Sequence, residues 1–413
     1  MTLDSAVKLA LTRNERSLAT RENVAYAEAA VAAARSYFLP TVTATGTYTR
    51  RPFEVRRTVS NADIVVQRFN AMNGYLNLNL TVFDSTGIPE LKAANSERQS
   101  AIVTAAESRR QLSFEVSQAF LSTLSTEYVL EASRHRLGYA KQNLAAAEAR
   151  YHAGLASIND VTLAELEQAT AELGMTQVEG QLQTSTLQLS YLLSVPVEAA
   201  KTLVAPEFLL EAAQAEAADA EKLVAEGLNR RLDLAALRWT AKAHHALASE
   251  PLLRWLPSLS LTSQYRYTNE AGLTGRTTNW NVGLSMSWSI FDGFLRNADT
   301  KSLKAEARLA DLDVKSAARK VEIDVREALV SLASQRAALK QATVAHDVAK
   351  KNATETTELY RQGLATALQV SDANVSLFEA EVTLVSQRYG LGIAFLNLEA
   401  ALGLDPFGKE PVH

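Results

Sequence analysis

Four short runs of the chain alternate apolar and polar side chains, a period of two that predicts β-strands. In the last run Trp280, Val282, Leu284, Met286, Trp288 and Ile290 share one face, and Asn281, Gly283, Ser285, Ser287 and Ser289 share the other. Leu76, Leu78, Leu80 and Val82 oppose Asn77, Asn79 and Thr81 in the same way. After Pro40, the set Val42, Ala44, Gly46 and Tyr48 opposes threonines at 41, 43, 45, 47 and 49. After Pro257, Leu259, Leu261, Tyr265 and Tyr267 oppose Ser258, Ser260, Thr262, Gln264 and Arg266, with Ser263 a polar intruder on the apolar side. The predicted strands are thus about 41–50, 75–83, 258–268 and 280–290. A soluble sheet with one face on a core would explain any one of them. Together they fit a membrane better. Each run is about ten residues, the length a tilted strand needs to cross hydrocarbon. Tyr48, Tyr75, Phe83, Tyr265, Tyr267, Trp280, Trp288 and Phe291 are candidates for a lipid-facing surface with aromatic girdles. The opposite face is small and hydroxylic, suited to a wet lumen. Four strands cannot close around water, yet a sheet facing lipid must close, so the strands require oligomerisation; three chains would give twelve strands.

A different period governs the rest. Between Leu295 and Leu359 there is neither proline nor glycine, a stretch of roughly 100 Å if wholly helical. One stripe reads Val321, Val325, Ala328, Leu332, Gln335, Leu339 and Ala342; a second, Ile323, Val330, Ala337 and Val344, lies on the opposite flank. Two seams fit a helix with a neighbour on each side, as in the wall of a helical barrel. The stretch from Leu91 to Arg150 also lacks proline, with only Gly138 late in it. Helices alone would suit a periplasmic coiled-coil scaffold or adaptor; such a protein would have no use for lipid-facing strands.

The pattern occurs twice. Phe38-Leu39-Pro40 and Trp255-Leu256-Pro257 open the strand pairs, and Phe83-Asp84 and Phe291-Asp292 close them. Tyr151-His152-Ala153-Gly154-Leu155-Ala156 is answered by Tyr360-Arg361-Gln362-Gly363-Leu364-Ala365, and leucine-rich ends precede Pro196 and Pro406. Four landmarks recur in order at offsets of 208 to 217 positions, which predicts an internal duplication. The repeats are expected at 1–200 and 201–413, each with a strand pair, a long helix, a tip hairpin (about 151–160 and 360–369) and a returning helix. The glycines at 154 and 363 mark tight helix–helix turns.

Composition removes alternatives. Cysteine is absent, so disulfides, thiolate metal sites and a lipidated cysteine are excluded for this sequence. A formal net charge of −4 offers no global pull on nucleic acid. No apolar run is long enough for a transmembrane helix, which does not bear on barrel strands. No leader is visible at Met1-Thr2-Leu3-Asp4, and the expectation is that one has been removed. The histidines, at 135, 152, 244, 245, 346 and 413, are scattered and expected on helix surfaces. The adjacent pair points about 100° apart on a helix, wrong for joint metal binding. Gly390-x-Gly392 lacks a third glycine and follows no strand, so it is no nucleotide loop. No catalytic site, cofactor or metal is expected.

Tyr-x-x-Gly-Leu-Ala, the strand pairs running from Leu-Pro to Phe-Asp, and the twofold repeat together resemble the TolC-like outer membrane efflux proteins. The resemblance covers essentially the whole chain and rests on the order and spacing of its motifs. It implies a mainly α protein with β, a homotrimeric channel joining a 12-stranded transmembrane β-barrel, four strands per protomer, to a long periplasmic α-helical barrel. Such a channel is a passive, gated exit duct in the outer membrane. It works with a periplasmic adaptor and an inner-membrane transporter, or exports proteins in type I secretion. The resemblance also places Gly154, Leu155, Ala156, Gly363, Leu364 and Ala365 at adaptor-binding tip turns. It assigns the pore constriction to Tyr151, Asp160, Tyr360, Gln369 and Asp372, with Asp160 the hydrogen-bond partner of Tyr360 and Asp372 in an aspartate ring favouring cations. The pattern departs at two places: Gln369 stands where a first ring aspartate is expected, and Ala365 where a turn arginine is expected.

Overall fold

The computed structural model describes residues 1–59, 62–197, 203–215, 219–270 and 275–410. The helices in chain order are α1 (Leu3–Arg13), α2 (Glu15–Ser36), α3 (Gly87–His152), α4 (Ile158–Leu193), α5 (Glu207–Ala212), α6 (Ala220–Arg230), α7 (Leu232–Leu247), α8 (Glu250–Leu253), α9 (Leu295–Arg361) and α10 (Ala367–Leu402). The strands are β1 (Thr41–Arg50), β2 (Val55–Val59), β3 (Ala62–Gln67), β4 (Asn70–Phe83), β5 (Ser258–Thr268) and β6 (Thr278–Ser287). The long helices match in length across the two halves, 66 and 36 residues for α3 and α4 against 67 and 36 for α9 and α10. The compact units of the molecule cut across these halves. One comprises Met1–Glu22, Val103–Leu234 and Ser316–His413; the other comprises Asn23–Ile102 and Ala235–Lys315.

The second unit holds an antiparallel sheet in the order β1-β4-β5-β6, and a separate hairpin, β2-β3. Register sorts the side chains by face. Ala44 pairs Leu76, Leu76 pairs Tyr265 and Tyr265 pairs Trp280, so these share the apolar face. Tyr48, opposite Met72, and Tyr267, opposite Gly74, belong to it as well. Tyr75 does not. It pairs Thr45 and Arg266 on the polar face, with the Arg266 guanidinium 5.8 Å from its ring, which corrects its expected place in the lipid-facing set. An odd position in a strand whose even positions are leucine must point the other way. Phe83 escapes this parity because the register shifts between Thr81 and Phe83, bringing Phe83 opposite Leu259 on the apolar face. The last strand is shorter than its alternation suggests: β6 ends at Ser287, and Trp288 and Phe291 follow it. Trp288 donates its indole N–H to the Trp255 carbonyl at 3.0 Å, and Phe291 meets Phe294 edge to face. None of the four predicted strands covers the segment around 55–67, where β2-β3 forms.

The two Phe-Asp landmarks lie where a strand stops and a long helix starts. Asp84 accepts the Thr86 N–H at 2.9 Å and hydroxyl at 2.7 Å, and also the Tyr37 hydroxyl. Asp292 accepts the Arg296 backbone N–H at 3.1 Å and its guanidinium at 2.6 Å. A carboxylate here meets orphan N–H groups and the positive helix end. The Asp84 carboxyl is held below its ordinary range, since burial, which opposes its charge, is outweighed by the Tyr37 and Thr86 hydrogen bonds. Arg296, 3% exposed, also stacks on Trp255 at 3.8 Å.

The first unit carries the main apolar core: Leu3, Val7, Leu112, Phe120, Leu121, Leu124, Leu189, Leu193, Leu209, Tyr389 and Leu396. Of the two stripes foreseen on α9, Val321, Val325, Ala328, Leu332 and Ala342 are buried. Ile323, Val330 and Val344 of the other stripe are 54%, 71% and 54% exposed within one chain. Arg231 donates to Asp233 and Asp324, both at 2.6 Å. Burial opposes its charge, but these bonds win and raise its pKa above the ordinary value.

Candidate functional site

The hairpins α3–α4 and α9–α10 turn by the same device. Gly154 and Gly363 adopt φ of 71° and 78°, a left-handed conformation open to glycine without strain. Gly154 N–H reaches the Tyr151 carbonyl at 2.9 Å and Leu155 N–H the Arg150 carbonyl at 2.8 Å. The equivalent bonds run from Gly363 to Tyr360 at 3.0 Å and from Leu364 to Leu359 at 2.8 Å. This pair of bonds closes the carbonyl end of each long helix. The chain then re-enters a helix through a capping box. Ser157 and Asp160 exchange bonds of 3.0 and 3.3 Å, and Thr366 and Gln369 do so at 2.8 and 3.3 Å.

The capping boxes decide what Asp160 and Gln369 do in this chain. Both occupy the third helical position and satisfy the cap backbone, and Gln serves there as well as Asp. Among the described residues Asp160 makes no hydrogen bond to Tyr360, which corrects the expected pairing. Tyr360 instead meets Arg150, whose guanidinium lies 4.4 Å over its ring and donates to its carbonyl at 2.8 Å. One residue therefore joins the end of α3 to the end of α9. Arg150 escaped the sequence reading because its signal lies in the comparison of halves: the position 209 further on is Leu359, an arginine without a counterpart. Tyr360 lines a gap of about 20 Å³ with Asn143, Ala147, Leu163, Ala164 and Val370, while Tyr151, at the equivalent position, is 42% exposed.

The turn residues Leu155 and Leu364 are 74% and 72% exposed apolar side chains, with Ala156 and Ala365 half-buried behind them. Asp372 is exposed and forms no ion pair or hydrogen bond among the described residues; it borders an open cleft of about 340 Å³ with Asn352, Thr356, Leu364 and Gln369. No grouping of His, Asp or Glu among the described residues could hold a metal. The five described histidines lie on helices with none buried, and His413 lies outside the described residues. Gly390 and Gly392 fall inside α10, where Gly392 leaves room for Leu121, Leu209 and Leu210. Among the described residues no helix is long and apolar enough to cross a membrane.

Long paired helices with left-handed glycine turns, joined to a sheet with one exposed apolar face, define the channel-tunnel fold. Solved structures agree with that class. VceC of Vibrio cholerae superposes with a TM-score of 0.78 at 19% identity, covering 98% of this chain and 96% of its own. The CmeC outer membrane channel of Campylobacter jejuni superposes at 0.82 and 15%, covering 100% and 87%. The outer membrane protein TolC of Vibrio cholerae is 24% identical over 405 residues, 94% of this chain and 86% of that one. The chain matches the outer membrane efflux protein family over residues 6–195 and 223–404, and it belongs to that family. It is an outer-membrane exit duct extending into the periplasm, and not an enzyme.

Proposed function

We propose that three copies form one tube, with twelve strands closed into a barrel through the outer membrane and the helices continuing as an α-barrel. The observation that carries this is the sheet itself. Its edge strands β1 and β6 are exposed along all ten residues each, and its apolar face has no covering layer. Edge groups in hydrocarbon have no other partner than a neighbouring strand. The uncovered stripe on α9 supports the same reading, since a wall helix touches one neighbour in its own chain and another in the next. In this tube the apolar face, with Tyr48, Phe83, Tyr265, Tyr267, Trp280, Trp288 and Phe291 toward its rims, meets lipid, while threonines, asparagines and Tyr75 line the lumen. The chain is read as two repeats, 1–200 and 201–413, so that a trimer approximates a sixfold wall.

At the far end the two hairpins form the gate. Exposed Leu155 and Leu364 with Gly154, Ala156, Gly363 and Ala365 offer small turns for a periplasmic adaptor, through which an inner-membrane transporter hands over cargo. Asp372, unpaired on its helix, would contribute one carboxylate per chain to a ring, which favours cations. The expected result in planar bilayers is a cation-selective channel whose selectivity falls in Asp372→Ala. Unchanged reversal potentials would remove Asp372 from the constriction. A protein that stays soluble and monomeric without detergent would remove the channel.

A further inference from the structure

The end of the sheet remote from the long helices carries a charge unlike the rest of the chain. Segments 50–69 and 266–277 contain Arg50, Arg51, Arg56, Arg57, Arg68, Arg266 and Arg276 against Glu54, Asp63 and Glu270. Seven cations and three carboxylates leave +4 there, in a chain whose formal net charge is −4. The strand register brings all of them to one end: Arg50 pairs Asn70 at the start of β4, Asn73 pairs Thr268 at the end of β5, and Tyr267 pairs Thr278 at the start of β6.

Two of these arginines are internally neutralised, Arg51 by Glu270 and Arg56 by Glu54 at 2.9 Å. Arg50, Arg57, Arg68, Arg266 and Arg276 have no carboxylate within salt-bridge distance among the described residues. Arg50 lies two positions beyond Tyr48 along the apolar side of β1, and its guanidinium lies 4.9 Å over the exposed ring of Phe69. Phe53, beside the hairpin, is 68% exposed. An apolar stem and aromatic rings under a charged tip are suited to an interface between hydrocarbon and water. Every cation in the two segments is arginine and none is lysine. A guanidinium fork matches two phosphate oxygens at once, whereas an ammonium offers a point charge.

We propose that this arginine crown, centred on Arg50, Arg57 and Arg68, binds the phosphates of anionic lipid headgroups in the outward leaflet and fixes the depth of the barrel. The inference rests on the reading that the sheet crosses the outer membrane with this end outward. Arg50 on the apolar side of β1 favours a ligand held in the surrounding leaflet over cargo in the lumen.

The test uses the full chain in a zwitterionic detergent, titrated with diphosphorylated lipid A in mixed micelles and read by native mass spectrometry. Retained lipid is expected with the wild type. About tenfold weaker apparent affinity is expected for the triple variant Arg50→Gln, Arg57→Gln, Arg68→Gln. The corresponding triple lysine variant, which keeps the charge and loses the fork, is expected in between. Inorganic phosphate at the same concentration should not displace the lipid. Equal affinity in all three proteins, no retention by the wild type, or displacement by free phosphate would each overturn the headgroup site. Single-channel recordings on the same preparations separate the two readings. Conducting wild-type channels that retain no lipid overturn the crown alone, and absence of conductance in both the wild type and the tip variant Arg150→Met overturns the membrane-spanning reading beneath it.

Discussion

Glu399, near the end of α10, has one carboxylate oxygen buried without a partner, and the C-terminal segment with Asp405 and Gly408 lies over it. Burial first, and the nearby Asp405 charge second, push its pKa up to about 7, against a hydrogen bond from the Gly408 N–H. The native state thus holds this proton more tightly than the unfolded chain, whose carboxyl titrates near its ordinary value. Stability from this group is complete at acid pH, falls as pH rises toward 7 and is lost above it, a change of roughly 3 kcal/mol at most. Glu399→Gln should flatten the melting temperature between pH 5 and pH 8, measured by circular dichroism in detergent. The same slope in wild type and variant would show that Glu399 does not titrate in this range. Arg150 acts at the same scale with a different readout. Its stacking and its hydrogen bond are together expected to contribute about 1–3 kcal/mol to the joined hairpins. Arg150→Met should raise the open probability of the channel in planar bilayers by about tenfold; no change would show that the contact does not hold the tip.

The elements owe their boundaries to a few polar side chains. Ser157 and Thr366 cap the returning helices, and loss of either cap is expected to cost about 1 kcal/mol. Ser157→Ala should therefore speed hydrogen exchange at the start of α4 about fivefold and leave α10 unchanged, with Thr366→Ala giving the mirror result. Equal exchange in both hairpins of either variant would mean that packing, and not the caps, fixes these ends. The turns that these caps follow were legible in the sequence from Gly154 and Gly363, and the boxes themselves were not read there. The strands were legible too, because a period of two places one residue set on one face whatever the neighbours are. The exceptions are physical. Phe83 changes face through a bulge, which follows from pairing with β5 and leaves no local mark. The β2-β3 hairpin has the mixed charge of a loop, and only cross-strand pairing makes it a sheet.

For the whole molecule, what one chain leaves uncovered matters most. Val330 is 71% exposed on a helix whose other stripe is packed in its own chain. Val330→Glu should leave the fold of a single chain intact, since the side chain faces outward, and weaken assembly. Light scattering in detergent is expected to give about three times 44.9 kDa for the wild type and a lower mass for the variant. An unchanged trimer would show that this stripe is not an interface between copies.

The sequence by itself determined the long helices, the four main strands and the class: strand faces, helix stripes and glycine turns depend on residues close in the chain, through backbone geometry and the cost of burying polar groups. The resemblance placed the candidate gate at the two turns. Only the tertiary structure decided which residues join the two turns. Asp160 lies beside Ser157, within reach of its own cap, so its carboxylate is engaged locally and is not bonded to Tyr360. Arg150 and Tyr360 lie 210 positions apart and meet because α3 and α9 turn at the same level. No local rule relates such residues. Their contact follows from how two equal helical hairpins stack, and the arginine belongs to only one of the two.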